Sequence, residues 1–466
     1  MKKLILLLIG VVAFAEAVDS DGDGLADDYE INYYYIADEI SSSSLGNFGS
    51  VVDISYDGKT LIVGSPQYQI SVNQEISNSY NPYVKVYREI DGSWAQLGQT
   101  LTKESSKFMF GDVAMISGDG NKILVGGASN NGTNYLQVYE FSSSQWVQVG
   151  ADISHFVLEG YTIGADISYN GETVILGLRG NDVSYAQTWD FVDNDWELAG
   201  MITMPNGDGA YDEARSVSIS SNANTIAMGG VGYLASERGR VGVFDRVYTG
   251  VSAQNYDWIL RGNIITNDIE YHQDVFGEDI SLSADGNQIA IGAWQDEGGG
   301  ILRQGSASVY EYTNNVWRKV GSTIYGEKIQ HYSGKVSLSG DGNVLINGYP
   351  ASNPNVDVYA KYFKRVGDNW TQFGDNIYAN SEHYNRNYRI VATDYDGDVF
   401  AVASPLDSTD NGTGRVRVYK TTYITDPNDA DSDDDGLSDG DEVNTYGTDP
   451  NDADSDDDSL SDGYEV

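Results

Sequence analysis

Three short acidic stretches carry the clearest chemistry in this sequence. Asp19, Asp21, Asp23, Asp27 and Glu30 stand at positions 1, 3, 5, 9 and 12 of a loop with Gly24 at position 6. Alternate side chains of such a loop converge on one centre, the glycine permits the sharp turn, and the final Glu can offer both oxygens to a calcium ion. Leu25, at position 7, supplies its backbone carbonyl. The pattern returns as Asp431, Asp433, Asp435, Gly436, Leu437, Asp439 and Glu442. It returns again as Asp454, Asp456, Asp458, Leu460, Asp462 and Glu465, with Ser459 in the glycine slot. A non-glycine residue resists the φ of that turn, so the third loop is expected to be the weakest. The expected cofactor is Ca2+.

The second and third loops share the lead-in Thr-Asp-Pro-Asn-Asp-Ala, at 425–430 and 448–453. Together the three copies resemble thrombospondin type-3 repeats of bacterial surface proteins, short calcium-wrapped units strung in series. The resemblance implies a calcium-stiffened acidic stalk. The chain stops one residue after Glu465, within a repeating unit, which predicts further repeats or an anchor beyond it.

The acidic loops account for part of the composition. The 466 residues hold 70 Asp+Glu against 27 Lys+Arg, a net charge of −43. Residues 426–466 contribute 17 acids with no Lys or Arg, and residues 19–30 another 6. Such a charge disfavours nucleic acid and anionic membranes as partners. The absence of cysteine excludes a disulfide framework, a thiol nucleophile and a thiolate zinc site. Hydrophobic residues at 40% and aromatics at 12% still call for a folded core.

Residues 1–17 read as a secretory signal. Lys2 and Lys3 precede the apolar Leu4–Phe14 run, and small residues follow at Ala13, Ala15 and Ala17. The run is too short to span a bilayer core of about 30 Å. An exported, secreted or cell-surface protein is expected, with no transmembrane segment in this chain.

The stretch between the acidic ends is repetitive. A Trp followed four residues later by Gly occurs at Trp94, Trp146, Trp196, Trp258, Trp317 and Trp370. Upstream of each lies an alternating apolar segment, a tight turn and a second apolar segment, as in Val52–Ile54, Asp57-Gly58 and Leu61–Gly64. The turns recur at Asp119-Gly120, Asn170-Gly171, Asn222-Ala223, Asp285-Gly286, Asp341-Gly342 and Asp396-Gly397. Asp-Gly and Asn-Gly suit a type I′ turn. A third strand rich in Val and Tyr follows, and the Trp segment is the fourth.

Four antiparallel strands repeated about every 56 residues define a β-propeller blade. Seven turns and only six Trp strands predict a seven-bladed, all-β propeller of four-stranded antiparallel blades with calcium-loop repeats at both ends. Residues 31–40 would supply the missing outer strand of the last blade. The domains expected are a signal at 1–17, a calcium loop at 18–30, the propeller at 31–424 and calcium repeats at 425–466. Trp and Gly read as structural, one packing between blades and the other turning the chain at the rim.

Phe48-Gly49, Phe110-Gly111 and Phe276-Gly277, with Gly64-Ser65-Pro66 and Gly126-Gly127-Ala128, resemble the FG-GAP repeats of integrin α propellers. That family holds calcium on some hairpins, but Leu61 stands where the first hairpin would need an acid, so blade calcium is not carried over.

The four histidines, His155, His272, His331 and His383, all lie between a Trp strand and the next inner strand, on loops that project from one face. Neighbouring aromatics would suit a sugar or peptide, making the four a possible ligand face. No Gly-x-Ser-x-Gly elbow or HExxH motif is present. The function expected is therefore a monomeric, calcium-binding, adhesion-type protein that recognises an extracellular protein or glycan. The alternative is an extracellular propeller enzyme acting on polysaccharide.

Overall fold

A computed structural model describes residues 34–42, 47–66, 71–72, 75–76, 81–103, 109–128, 133–156, 164–178, 185–205, 213–231, 239–248, 256–267, 275–350, 358–379, 389–405, 414–421, 430–446, 448, 450–455 and 460–465. The chain forms two compact units, one over residues 36–420 and a second that takes in residues 421–466.

The first unit is a seven-bladed β-propeller of four-stranded antiparallel blades. Blade 1 runs through Val51–Ile54, Thr60–Ser65, Tyr83–Ile90 and Ser93–Gln96, and blade 2 through Val113–Ile116, Lys122–Ala128, Thr133–Ser142 and Gln145–Phe156. Blades 3 to 6 repeat this order from Ala165, Glu213, Phe276 and Lys335. Blade 7 takes three strands, Val391–Thr393, Val399–Ser404 and Arg415–Thr421, from the end of the propeller segment. Its outer strand is Tyr34–Ser41 from the beginning. Glu39 of that strand receives Arg415 at 2.7 Å and Arg417 at 2.9 Å, and Asp38 accepts the amide of Trp94 in blade 1. The ring is thereby closed without a covalent link.

Each second strand is buried on both faces, which explains its unbroken apolar runs such as Leu61-Ile62-Val63 and Ile289-Ala290-Ile291. The core is a set of layers between blades rather than one centre. Val113, Met115 and Leu124 of blade 2 pack with Ala165, Ile167 and Val174 of blade 3. Ile62 and Val84 of blade 1 pack with Ile116, Ile123 and Trp146 of blade 2.

The Trp–Gly marker is the rim version of this packing. The indole of Trp146 donates to the carbonyl of Leu97 in blade 1 at 2.9 Å, and its ring covers Gly98, where a Cβ would come within 2.9 Å of it. Trp196 repeats this with Val149 and Gly150, and Trp317 donates to Arg261 beside Gly262. Phe110-Gly111 has a similar logic nearer the axis. Phe110 is buried, Gly111 adopts φ +86°, and its carbonyl lies where a Cβ on Gly64 would stand, 2.2 Å away.

The turn type differs from the sequence expectation. At Asp57-Gly58 only Gly58 has positive φ, and the Gly58 amide donates to Ser55. This is a type I turn followed by a left-handed residue. Ser55 is the reason. Its hydroxyl donates to Asp57 Oδ1 and accepts the amide of Thr60, holding a longer loop. Ser117, Ser168, Ser220, Ser283 and Ser339 do the same in blades 2 to 6. Turns with both central φ positive lie instead before the outer strands, at Asp91-Gly92, Ser143-Ser144, Asp193-Asn194 and Asn314-Asn315.

Candidate metal centre and the ring channel

In the second acidic loop, one carboxylate oxygen from each of Asp431, Asp433 and Asp435 lies within 4.8 Å of the others. The backbone sets this up. Asp431 Oδ1 accepts the Asp435 amide at 3.1 Å, its Oδ2 accepts the Gly436 amide at 3.1 Å, and Asp435 Oδ1 accepts the Leu437 amide at 2.8 Å. Gly436 takes φ +99°, which a side chain would resist. Leu437 packs inward at 7% exposure.

Two buried oxygens in this loop have no hydrogen-bond partner among the described residues, Asp433 Oδ2 and Glu442 Oε2. The other oxygen of Glu442 accepts from Thr448 at 3.2 Å. Burial, then the charge of Asp433, pushes the Glu442 carboxyl up to about 8, and burial raises Asp433 as well. Orphaned carboxylate oxygens beside a carboxylate cluster are the donor set a hard cation takes, so the residues fit calcium. Bound here, calcium would supply charge neutralisation and a fixed loop geometry.

Asp439 is turned elsewhere. Both its oxygens accept from Ser432, amide and hydroxyl, at 2.7 Å, so position 9 clamps the loop entrance. Asp462 repeats this clamp on Ser455 in the third loop. Of the remaining third-loop residues, Asp454, Leu460 and Glu465 are described, with Leu460 at 44% exposure, while Asp456 and Asp458 lie outside the described residues. The amide of Gly463 donates to Asp435 Oδ2, which joins the third repeat to the second. The first loop (Asp19, Asp21, Asp23, Leu25, Asp27 and Glu30) lies outside the described residues.

The histidines are not brought together. His272 and His383 lie outside the described residues, and His155 falls in the outer strand of blade 2, opposite Asn134. His331 is wholly buried at 0% exposure, which corrects its assignment to a ligand face. Its Nδ1 lies 3.1 Å from the Tyr359 hydroxyl and faces the amides of Glu327 and Lys328, so it fixes the turn of its own loop.

The sequence reading missed the central channel. In five of the seven blades the residue four before the turn's Asp or Asn reaches the next blade, and Met115 and Ala392 hold that position in the other two. Asp53 accepts the Ile116 amide at 2.9 Å, Asp166 the Ile219 amide at 3.0 Å, and Ser337 the Thr393 amide at 3.1 Å. At the turn end, seven backbone hydrogen bonds run once round the ring. They join Tyr56 to Gly118, Asp119 to Tyr169, Tyr169 to Ser221, Ser221 to Ala284, Ala284 to Gly340, Asp341 to Tyr395 and Tyr395 to Tyr56. The rings of Tyr169 and Tyr395 lie 5.5 and 5.7 Å from that of Tyr56. Between this end and Arg389 lies a polar chamber of about 60 Å³, and beyond Arg389 a second cavity of about 100 Å³ where the inner strands begin. Burial pushes Asp53 up to about 6, against the opposing charge of Arg389, and raises Asp166 likewise.

Blade 7 breaks the turn pattern in a testable way. Asp394 stands where the other six blades have Ser, and accepts the amides of Gly397 and Val399. Burial, then the charges of Asp396 and Asp398, pushes it up to about 9. Its folded value thus exceeds the unfolded one of about 3.9, so the folded state binds more protons and stability falls as pH rises from about 4 towards 9. Asp394→Ser should therefore stabilise the protein by about 2 kcal/mol at pH 8 and hardly at all at pH 4. Urea midpoints at the two pH values check this, and an equal shift at both would refute it.

Comparisons place these features among known proteins. Residues 19–33 and 431–453 match the family described as Bacterial TSP3 repeat. No curated protein matches the sequence. Among solved structures, hydrazine synthase of Kuenenia stuttgartiensis aligns at 12% identity, covering 82% of this chain and 97% of that one, with a TM-score of 0.51. The periplasmic gluconolactonase of Pseudomonas aeruginosa aligns at 15% identity over 71% and 84%, with a TM-score of 0.46. These likenesses concern the propeller fold alone. The chain is a seven-bladed β-propeller with a segment at each end that matches the Bacterial TSP3 repeat model.

Proposed function

We propose that this is an exported calcium-binding protein whose propeller presents a binding surface for an extracellular protein or glycan, with the acidic repeats ordered by calcium. The observation that carries the calcium reading is the pair of orphaned buried oxygens, Asp433 Oδ2 and Glu442 Oε2, beside the Asp431, Asp433 and Asp435 cluster. In a sequence of net charge −43, a loop that crowds carboxylates without basic partners gains order when a divalent cation cancels their repulsion. The signal-like residues 1–17 and the match to bacterial TSP3 repeats support export. The test is a glycan and extracellular-protein binding screen with the full chain in calcium, run beside a polysaccharide hydrolysis assay. Saturable binding without turnover supports the proposal, and turnover would replace it with the enzyme reading.

A further inference from the structure

The wider cavity of the channel is lined by as many cations as carboxylates, yet two of the cations are not matched to an acceptor. It is lined by Asp112, Arg215, Glu278, Asp279, Lys335 and Arg389, one or two from each of five blades. Glu278 is paired with Arg215 at 3.1 Å, and Asp279 Oδ2 accepts the amide of Val336 at 3.0 Å. Deeper in the channel, Asp53 and Asp166 accept amides from the next blades. These acids have the donors they need.

Two cations lack a side-chain oxygen acceptor among the described residues. Among the described residues Arg389 has one side-chain partner, the sulfur of Met115 at 3.4 Å from Nη1, a weak acceptor. Its Nε is shut off from solvent and has no partner. Asp53, Asp166 and Asp279 hold the guanidinium charged from a distance, against the desolvation that opposes it. No carboxylate of the described residues stands at ion-pair distance from Arg389 or Lys335. Lys335 is buried, with no ion pair among the described residues. A planar guanidinium with open donors and an unpaired ammonium lining the same cavity ask for an acceptor with two oxygens in one plane.

We propose that the open end of the channel binds a small carboxylate, with Arg389 and Lys335 as its partners. The surrounding acids set the charge of the ligand. Asp112, Glu278 and Asp279 line the same cavity, so a single negative charge is accommodated where a phosphate dianion would be repelled. The cavity of about 100 Å³ takes a carboxylate and its adjoining carbons, and a larger ligand extends out of the mouth. Blades 6 and 7 supply the two cations, and the main chain of Arg389 also locks blade 7 to blade 1, its carbonyl accepting the Val52 amide at 2.9 Å. The site therefore exists only in the closed ring.

This inference stands apart from the calcium reading. Its test is calorimetric titration of the full-length protein with sodium acetate and with sodium glucuronate, glucose serving as the uncharged counterpart, at fixed ionic strength in calcium buffer. Saturable binding of either carboxylate, absent for glucose, is expected. Arg389→Gln should weaken it at least about tenfold, as should Lys335→Gln, whose strand belongs to another blade and whose fold is read separately by melting. Acetate binding alone points to a free acid or a peptide terminus, and glucuronate binding alone to an acidic sugar. Binding should persist in Glu442→Gln. No saturable carboxylate signal, unchanged affinity in a folded Arg389→Gln or Lys335→Gln variant, or tighter binding of inorganic phosphate than of acetate would overturn the assignment.

Discussion

Chelating calcium is expected to melt the order of residues 430–465, and Glu442→Gln to reproduce much of that loss with calcium present. The second loop holds Asp431, Asp433 and Asp435 within 4.8 Å, and each such pair of charges costs about 1 kcal/mol even at the dielectric of water. Backbone amides offset part of this, but Asp433 Oδ2 and Glu442 Oε2 have no partner among the described residues. Extracellular calcium modules have affinities of about 10⁻⁴–10⁻³ M. At a hundredfold excess over the dissociation constant, binding stabilises the loop by about 2.7 kcal/mol. Glu442→Gln removes a charge and one ligand oxygen, so the affinity should fall by at least about tenfold. Asp439→Asn should act differently, because both oxygens of Asp439 hold Ser432. It should lower the stability of the loop more than it lowers the affinity for calcium. Circular dichroism and calorimetry on the full chain with and without chelator measure both. Identical spectra and no calcium-dependent heat would refute the calcium reading.

Trp146→Ala should destabilise the propeller by about 3–5 kcal/mol, the usual cost of emptying a large buried aromatic site. The ring of Trp146 is buried between Gly98 and Phe141, whose ring centre lies 5.1 Å away. Gln99 of blade 1 also grips its backbone, the Oε1 accepting the Trp146 amide at 2.9 Å and the Nε2 donating to its carbonyl at 2.8 Å. Trp146→Phe keeps most of the apolar contact and gives up the bond to Leu97, so about 1–2 kcal/mol is expected. Trp94 supplies the contrast. Its neighbour across the seam is the Tyr34–Ser41 strand, which has no glycine platform, and its Nε1 has no partner among the described residues. Trp94→Ala should thus cost about 1 kcal/mol, well below Trp146→Ala. Denaturant midpoints of the three variants decide the matter. Equal costs at Trp94 and Trp146 would show that the marker does not work through the glycine of the preceding blade.

What was legible in the sequence was whatever repeats over a few residues. The turn dipeptides, the Trp–Gly pairs and the acidic loops each work within about a dozen neighbouring positions, so their spacing survives without the fold. Even there, local reading went only part of the way. Asp57-Gly58 looks like a two-residue type I′ turn, and Ser55 converts it into a longer one by bonding at both ends. Position 9 of the calcium pattern is Asp439, and both of its oxygens also accept from Ser432, a role that the spacing does not announce. His331 looked like part of an open face and is sealed beneath its own loop.

The sequence by itself determined a seven-fold all-β ring and the acid-rich calcium pattern at its ends, since both are written as short periodic signals. Only the tertiary structure decided what the ring encloses. Asp53, Asp166, Asp279, Lys335 and Arg389 are separated by up to several hundred residues and have no common motif. They meet because each inner strand sends one side chain per level to the same axis. Closing the ring converts five unrelated positions into one electrostatic unit, which no reading along the chain could assemble.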